Sequence, residues 1–225
     1  MTIAPKMPRS RAERGDAKRQ AILSTAVDLF LEVGYGAASI NLLVDRVGGS
    51  KSTVYAHFQN KEKLFEAMVK KVVGEVTGSM RDLELAGLDL RTGLMRLGTR
   101  LFDLVQSRRH VELARLVIAE ASRFPEVGRI YYRHGPGLAY KGLARFLRDH
   151  AEAGHIDIDD TAQASDYFAA TLLHRWLFKR FCVAPDPPDA EETAAVVTAT
   201  VDHFIRAYAG RQLYGQGEEG GRQCD

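Results

Sequence analysis

Apolar residues recur three or four positions apart along most of the chain, and no region alternates between apolar and polar residues as a β-strand would. This period predicts helices throughout. The first helix is expected to be capped by Asp16 and ended by Gly34, because a carboxylate caps a helix start and glycine favours a helix end. Ser39, Ser50 and Asn60 are the predicted starts of helices 2, 3 and 4. The apolar stripes of these four helices comprise Ile22, Ala26, Leu29, Phe30 and Val33; Ile40, Leu43, Val44 and Val47; Val54 and Phe58; and Leu64, Phe65, Met68, Val69, Val72, Val73 and Val76.

The helical spacing continues through the rest of the chain. No proline lies between Pro8 and Pro125, so long helices are not interrupted there. The predicted later elements are helix 5 over 90–104, helix 6 over 113–117, a helical region over 125–154, helix 8 from Asp160 to Cys182, and helix 9 up to Tyr208. The sequence therefore predicts an all-α fold of about nine helices.

The composition is that of a soluble folded protein, with 45% hydrophobic and 27% charged residues. No run approaches the roughly 18 apolar residues of a membrane span, and the basic start of the chain lacks the apolar segment of a secretion signal. The two cysteines, Cys182 and Cys224, are too few for a disulfide framework and lack metal-ligand spacing. We therefore expect a cytoplasmic protein with no membrane partner.

The charge is distributed unevenly along the chain. Residues 1–71 contain 12 Lys and Arg against 7 Asp and Glu, a net charge of +5, whereas residues 72–225 contain 19 against 22, a net charge of −3. A basic first third favours a polyanionic partner for that part of the chain.

Sequence motifs of catalysis are absent. The chain has no Gly-rich phosphate loop, no His-Glu-x-x-His, no Gly-x-Ser-x-Gly and no paired-cysteine motif. His150 and His155 are five residues apart, a poor fit to one helical face. The sequence therefore disfavours an enzyme and predicts neither a cofactor nor a metal.

Helices 2 and 3 form the clearest motif. Two short helices around the turn of Gly48, Gly49 and Ser50 are typical of a helix-turn-helix, here over about 38–57. The outer arc of helix 3 carries Ser52, Thr53, Tyr55, Ala56 and Gln59, with Lys51 at the helix start. Hydroxyl and amide groups bind base edges or phosphates, so this arc is predicted to lie in a DNA groove. The alternative is a connector in which the inward Val54 and Phe58 are only core.

These residues resemble the DNA-binding region of the tetracycline-repressor (TetR/AcrR) family. The resemblance extends from Ala21 to Met68 and rests on the pattern Ser-Lys-x-Thr-apolar-Tyr-x-x-Phe, followed by x-x-Lys-x-x-Leu, that ends at Leu64. It implies a homodimeric, ligand-responsive regulator, usually a repressor, that binds a palindromic operator of double-stranded DNA. The implied contacts are Ser39 and Asn41 near the backbone, Lys51, Ser52, Thr53 and Tyr55 in or beside the major groove, and His57 and Lys61 at phosphates. A surface position without DNA contact is the alternative for His57.

A second, shorter resemblance links the segment that begins at Glu120, Glu-Ala-Ser-Arg-Phe-Pro-Glu, to the rear domain of AefR-like members of this family. Combined with the periodicity, it implies four parts. Residues 1–15 are expected to be a disordered basic arm, 16–76 the DNA-binding domain, 77–210 a domain for ligand binding and dimerisation, and 211–225 a disordered tail. Insertion of the arm into a minor groove is the alternative to solvated disorder.

The rear domain carries candidate residues for a small apolar or amphipathic inducer and for a second subunit. The pocket candidates are Leu101, Phe102, Leu116, Glu120, Tyr131, Tyr132, Tyr140, Phe168 and Arg175. Core packing is the alternative for most of them, and a buried structural ion pair is the alternative for Glu120 and Arg175. The candidate dimer residues are Trp176, Val197, Val201, Phe204, Ile205 and Tyr208, with burial inside one subunit as the alternative.

Gly49 departs from the family pattern. Family members usually have an apolar residue at this place in the turn, and glycine forgoes about 1.5–3 kcal/mol of burial for a Val-sized side chain. On this reasoning Gly49→Val is expected to raise the melting temperature.

A helical protein-interaction adaptor that does not read DNA is the alternative function. It would need an acidic or apolar outer face on helix 3. Lys51, Thr53 and Tyr55 instead make that face polar and basic, which favours DNA binding.

Overall fold

The structure, a computed structural model, describes residues 10–77, 85–183 and 186–208, and within these ranges the chain forms ten helices and no strand. The predicted all-α fold is confirmed. The helices are α1 (Arg11–Ala37), α2 (Ile40–Val47), α3 (Lys51–Phe58), α4 (Lys61–Thr77), α5 (Leu90–Gln106), α6 (Arg108–Glu120), α7 (Pro125–His134), α8 (Pro136–Glu152), α9 (Thr161–Cys182) and α10 (Ala190–Tyr208).

Several helix ends follow the local signals in the sequence. Asp160 caps α9, because its carboxylate accepts the backbone N–H groups of residues 162 and 163 at 2.9 Å. The region 125–154 contains two helices, since Gly135 separates α7 from α8. The predicted disordered tail, 211–225, lies outside the described residues. None of the helices that the structure describes is both long enough and apolar enough to span a membrane.

The first helix begins earlier than predicted. Ser10, not Asp16, is its cap: the Ser10 hydroxyl accepts the N–H of Glu13 at 3.2 Å, and the Glu13 carboxylate accepts the N–H of Ser10 at 2.6 Å. This reciprocal pair is a capping box, which satisfies two backbone donors and fixes the helix start. The predicted disordered arm is therefore wrong over 11–15, which are helical, and its residues 1–9 lie outside the described ranges.

The chain divides into two compact units. The front unit comprises Met1–Val72 and Glu112–His134, and the rear unit comprises Val73–Val111 and Gly135–Asp225. The division falls within α4 and within α6. The functional domains expected over 16–76 and 77–210 stay predictions, but the compact units group α7 and most of α6 with the first helices of the chain.

Aromatic rings form the centre of the front unit. Phe30 of α1 and Phe65 of α4 are buried and pack edge to face, with their ring centroids 5.3 Å apart. Tyr35 is 6% exposed, stacks on Phe30 at 5.9 Å and meets Phe65 edge-on at 5.0 Å. Burial of each large side chain contributes about 1.5–3 kcal/mol, so this cluster joins α1 firmly to α4.

The rear unit has a core built from α5, α8, α9 and α10. Four of the predicted dimer residues, Trp176, Val197, Val201 and Phe204, lie inside this core and are at most 6% exposed. Their assignment to a dimer interface is therefore wrong, because side chains of the same subunit already cover them. Ile205 and Tyr208 are half-buried and stay candidates.

Gly49 does not face the core. It is exposed and has a φ of +111°, a left-handed conformation that side chains bearing a Cβ rarely adopt. A Cβ placed there would meet only the Lys18 side chain, at 3.6 Å. The expectation that valine adds buried surface at this position is therefore wrong.

We expect Gly49→Val to lower the melting temperature, because forcing a β-branched residue into this conformation costs roughly 1–3 kcal/mol. Gly15→Ala is the matched control: Gly15 lies inside α1 with open space around it, and alanine there is expected to stabilise the helix by about 0.5–1 kcal/mol. Differential scanning calorimetry measures both variants, and a higher melting temperature for Gly49→Val would contradict the prediction.

His110 makes the stability of the protein dependent on pH. It is 3% exposed, and burial lowers its pKa from 6.5 to about 4. Between these values the unfolded chain binds a proton that the folded protein does not, so the free energy of unfolding falls as the pH falls from about 6.5 towards 4, by up to roughly 3 kcal/mol. Urea denaturation at pH 7 and pH 4.5 measures this loss. His110→Gln is expected to show a smaller loss, and equal losses would contradict the assignment to His110.

Candidate nucleic-acid interface

The two short helices of the motif are capped and anchored as predicted. The hydroxyl of Ser39 accepts the N–H of residue 42 at 3.2 Å, and that of Ser50 accepts the N–H of residue 53 at 3.2 Å. Leu43 from α2 and Val54 and Phe58 from α3 are buried. Each helix is eight residues long, so these caps and anchors determine where both helices lie.

The turn between α2 and α3 is held by a residue that the sequence analysis did not assign. Gly48 and Gly49 both have positive φ, +69° and +111°, which lets the chain reverse in few residues. Lys18 of α1 donates a hydrogen bond from Nζ to the Gly48 carbonyl at 3.0 Å. Lys18 lies 30 residues before Gly48, so no local pattern connects the two.

The predicted reading face of α3 is accessible. Lys51, Ser52 and Tyr55 are exposed, Tyr55 by 46%, and Thr53 is half-buried. The Ser52 and Thr53 hydroxyls lie 2.7 and 3.0 Å from the Ser50 hydroxyl, so both belong to the hydroxyl cluster around the cap. Lys51, Ser52 and Tyr55 are thus exposed on a helix whose opposite face is buried in the core.

The four other predicted DNA contacts lie in the same unit but differ in how exposed they are and in whether they already have a bonding partner. Ser39 and Asn41 are exposed at the start of α2. His57 is half-buried at the end of α3, with its ring centroid 6.3 Å from that of Phe58. Lys61 is half-buried and already engaged, as its Nζ donates to the residue 36 carbonyl at 3.3 Å.

Two nearby carboxylates act on the charge of Lys61. Burial lowers the pKa of Lys61, and the negative charges of Glu120 and Glu126 oppose that shift. Its ammonium nitrogen also lies 4.5 Å from the centre of the Tyr35 ring, within cation–π distance. Burial, Glu126 and Glu62 raise the pKa of Tyr35 to about 12, so this ring keeps its proton at physiological pH.

A basic cleft of about 620 Å³ lies beside α3 in the front unit. Its cationic lining residues are Arg19, Lys63, Lys70 and Lys71, and His57 and Glu66 also line it. Lys63 and Lys70 bond the Glu66 carboxylate at 2.9 and 2.8 Å, which lowers the pKa of Glu66 to about 2. Arg19 lies over the Phe58 ring at 5.0 Å. Arg19 and Lys70 carry basic charge that the motif alone did not indicate.

The rear-unit pocket candidates do not share one exposed site. Leu101, Phe102 and Phe168 are at most 1% exposed within the core, and Tyr140 is half-buried. Arg175 is exposed. The expectation that Arg175 is a buried charge in need of a partner is therefore wrong, since solvent reaches its guanidinium group.

The remaining pocket candidates lie in the front unit. Leu116 is buried, Tyr131 is half-buried and Tyr132 is 60% exposed. Glu120 is half-buried and accepts the N–H of Gly36 at 3.2 Å. The structure thus gives Glu120 a partner near the end of α1. Among the described residues, no cluster of three or more His, Cys, Asp or Glu is arranged to hold a metal ion.

Two family models match the chain. The model of bacterial regulatory proteins of the tetR family matches residues 22–68, and the model of the AefR-like transcriptional repressor C-terminal domain matches residues 92–210, more than half of the chain. Both match the regions where the two resemblances were found in the sequence.

Proteins that are similar to this chain are described as regulators, in agreement with the two family models. A solved structure described as a TetR-family transcriptional regulator from Mesorhizobium loti is 26% identical, with a TM-score of 0.74 over 89% of this chain and 99% of that one. The solved Flavonoid-responsive Regulator FrrA is 26% identical, with a TM-score of 0.73 over 86% of this chain and 97% of FrrA. The transcriptional activator FasR of Mycolicibacterium smegmatis is 30% identical over 40% of this chain and 42% of FasR, so the match spans less than half of that relative.

The helix-turn-helix sequence pattern, the all-helical fold and both family models therefore lead to the same assignment. Proteins of this group regulate transcription by binding operator DNA, generally as repressors. The chain belongs to the TetR family of transcription regulators, with an AefR-like C-terminal domain.

Proposed function

We propose that this protein is a ligand-responsive repressor that binds a palindromic DNA operator as a homodimer and is released by a small apolar or amphipathic inducer. The observation that carries the proposal is the outer face of α3, where Lys51, Ser52 and Tyr55 are exposed on a capped helix in the basic part of the chain. Repression is favoured because the model that covers more than half of the chain describes a transcriptional repressor. Such a protein acts in the cytoplasm, in contact with DNA, and performs no catalysis.

The proposed DNA contacts divide into two kinds. Tyr55, Ser52 and Thr53 would contact base edges in the major groove, since hydroxyl groups bind the donors and acceptors displayed there. The phosphate and backbone contacts would come from the start of α2, the ends of α3 and the start of α4, namely Ser39, Asn41, Lys51, His57 and Lys61. Lys51 adds its charge to the positive end of the α3 dipole.

The proposed dimer interface is the outer face of α9 with the adjoining surface of α10. Tyr167 and Phe178 are 55% and 62% exposed, and Thr171 and His174 lie between them on the same helical face. A groove of about 250 Å³ between α9 and α10 lies next to this stripe and is lined by Tyr167, Tyr208 and His203, among others. Exposed aromatic residues of this size are favourable to bury against a second copy.

The inducer would bind among the rear helices and favour a conformation in which the two α3 helices no longer match successive major grooves, about 34 Å apart. FrrA is named as flavonoid-responsive, which favours a flat aromatic molecule as the first class to try. Of the predicted aromatic candidates in the rear unit, Tyr140 is half-buried and within reach of such a ligand, whereas Phe102 and Phe168 would be reached only if the core opened.

Selection of bound duplexes from a random pool tests the proposal directly. The enriched sequences are expected to be palindromic, and binding to them should weaken steeply between 50 and 200 mM salt, because each phosphate contact releases a counterion. Flavonoids added to the preformed complex test release. Salt-insensitive binding, or no enrichment, would favour the adaptor function instead.

Tyr55→Ala is expected to weaken operator binding by about 10- to 100-fold, because one base-edge contact is worth roughly 1–3 kcal/mol. Tyr132→Ala is the matched control, since Tyr132 is also an exposed tyrosine of the front unit but lies on α7. Fluorescence anisotropy gives both dissociation constants. Equal losses in the two variants, or no loss in Tyr55→Ala, would reject Tyr55 as a DNA contact.

Phe178→Glu is expected to convert the dimer to a monomer, because it places a charge in the proposed interface. Light scattering should then report a mass near 25.0 kDa instead of twice that value. Ile118→Glu is the control: Ile118 is 64% exposed on α6, outside the proposed interface. A monomeric unmodified protein, or a Phe178→Glu variant that stays dimeric, would contradict this interface.

A further inference from the structure

The last residues of α1 are packed closely against the end of α6. Gly34 interrupts α1 with a φ of +81°, and Gly36 donates its N–H to the Glu120 carboxylate at 3.2 Å. A Cβ on Gly34 would lie 2.5 Å from the same carboxylate oxygen, so only glycine permits this approach. We refer to Gly34, Tyr35 and Gly36 as the 34–36 turn. Glu120 and this turn are distant in sequence but belong to the same compact unit.

The aromatic member of the 34–36 turn is held by the segment that follows Glu120. The Tyr35 ring is buried and meets the Phe124 ring edge-on, with centroids 5.2 Å apart. The negative charge of Glu126, at the start of α7, adds to burial in raising the pKa of Tyr35. Two side chains of the short AefR-like segment, those of Glu120 and Phe124, therefore contact the turn.

The other side of the 34–36 turn is bonded to Lys61, which is one of the proposed DNA-contacting residues. Lys61 donates a hydrogen bond to the carbonyl of Gly36 at 3.3 Å, and its ammonium group lies over the Tyr35 ring. Gly36 is thus bonded to a carboxylate through its N–H and to an ammonium through its carbonyl. Charge-assisted hydrogen bonds of this kind are stronger than neutral ones, so the pair fixes the orientation of the turn.

The turn leads directly to the start of α2. Ala38 follows Gly36 by two residues and donates its N–H to the Gly34 carbonyl at 3.3 Å, and Ser39 then caps α2. Any shift of the 34–36 turn therefore changes the position of both Ser39 and the Lys61 ammonium. The Glu120 carboxylate, at the end of α6, therefore fixes the positions from which Ser39 and Lys61 would reach DNA.

We propose that Glu120 is a positioning residue for DNA binding, which holds the 34–36 turn so that Lys61 and the start of α2 meet phosphates. This inference rests on the proposed DNA-binding function and adds a residue that does not itself touch DNA. It replaces the ligand-binding role expected from the sequence for Glu120. It also gives α6 a direct means of altering operator affinity, because a displacement of its last turn releases Gly36.

Simple electrostatics makes the proposal sharply testable. Glu120 is negative, and so is DNA, so removal of its charge without any positioning effect would leave operator binding unchanged or strengthen it. Weaker binding after removal of a negative charge requires that the carboxylate organises groups that attract DNA.

The experiment compares Glu120→Ala and Glu120→Gln with the unmodified full chain on a selected operator duplex between 50 and 200 mM salt. Glu120→Ala is expected to bind about tenfold more weakly and to lose about one unit of the salt slope, as Lys61→Ala does. Glu120→Gln retains an acceptor for the Gly36 N–H and should lose less. Because both residues act on one turn, the double variant with Lys61→Ala should be little weaker than Lys61→Ala alone.

Glu152→Gln is the charge control, since Glu152 is an exposed carboxylate of the rear unit and should leave affinity and slope unchanged. Hydrogen exchange of the Gly36 amide gives a readout without DNA, and it should accelerate in Glu120→Ala while circular dichroism stays the same. Unchanged exchange, an unchanged salt slope, or additive losses in the double variant would each overturn the positioning role. Failure of the unmodified protein to bind any duplex would instead overturn the proposed function, and with it the role of Glu120 in DNA binding.

Discussion

The burial of a few apolar side chains on each short helix is the interaction on which the rest of this protein depends. Helices of eight residues are not stable alone in water, because the cost of nucleation exceeds the gain from so few hydrogen bonds. α3 persists since Val54 and Phe58 are buried and Ser50 satisfies its first turn. A rigid reading face is thus a consequence of core packing on the opposite side of the helix.

The outer face of α3 has to satisfy two demands at once. As the proposed DNA contact it would present donors and acceptors to a partner, yet the same groups must be tolerated in solution without one. The hydroxyls of Ser52 and Thr53 are engaged with the Ser50 cap, and the cations of the neighbouring cleft are partly paired, as Lys63 and Lys70 are with Glu66. The Lys63 and Lys70 side chains are each 54% exposed, so solvent reaches both cations although they are paired with Glu66.

The compact units and the family domains divide the chain differently. The AefR-like model covers 92–210, but Glu112–His134 within it groups with the first helices of the chain. Glu120 and Phe124 explain this grouping, because their side chains contact the 34–36 turn near the end of α1. A region that belongs by descent to the regulatory domain therefore belongs by packing to the unit that carries the helix-turn-helix.

The sequence by itself determined the helical elements and the motif, because the caps at Ser39, Ser50 and Asp160 and the 3.6-residue stripes are local signals. It did not determine what covers an apolar side chain: the pattern is compatible with an interface at Trp176 and Phe204, yet both lie inside the rear core. The periodicity of a helix shows that one of its faces is apolar, but it does not show which other residues pack against that face. The tertiary structure alone decided the bonds from Lys18 to Gly48 and from Gly36 to Glu120, since these pairs are 30 and 84 residues apart and depend on how distant helices pack.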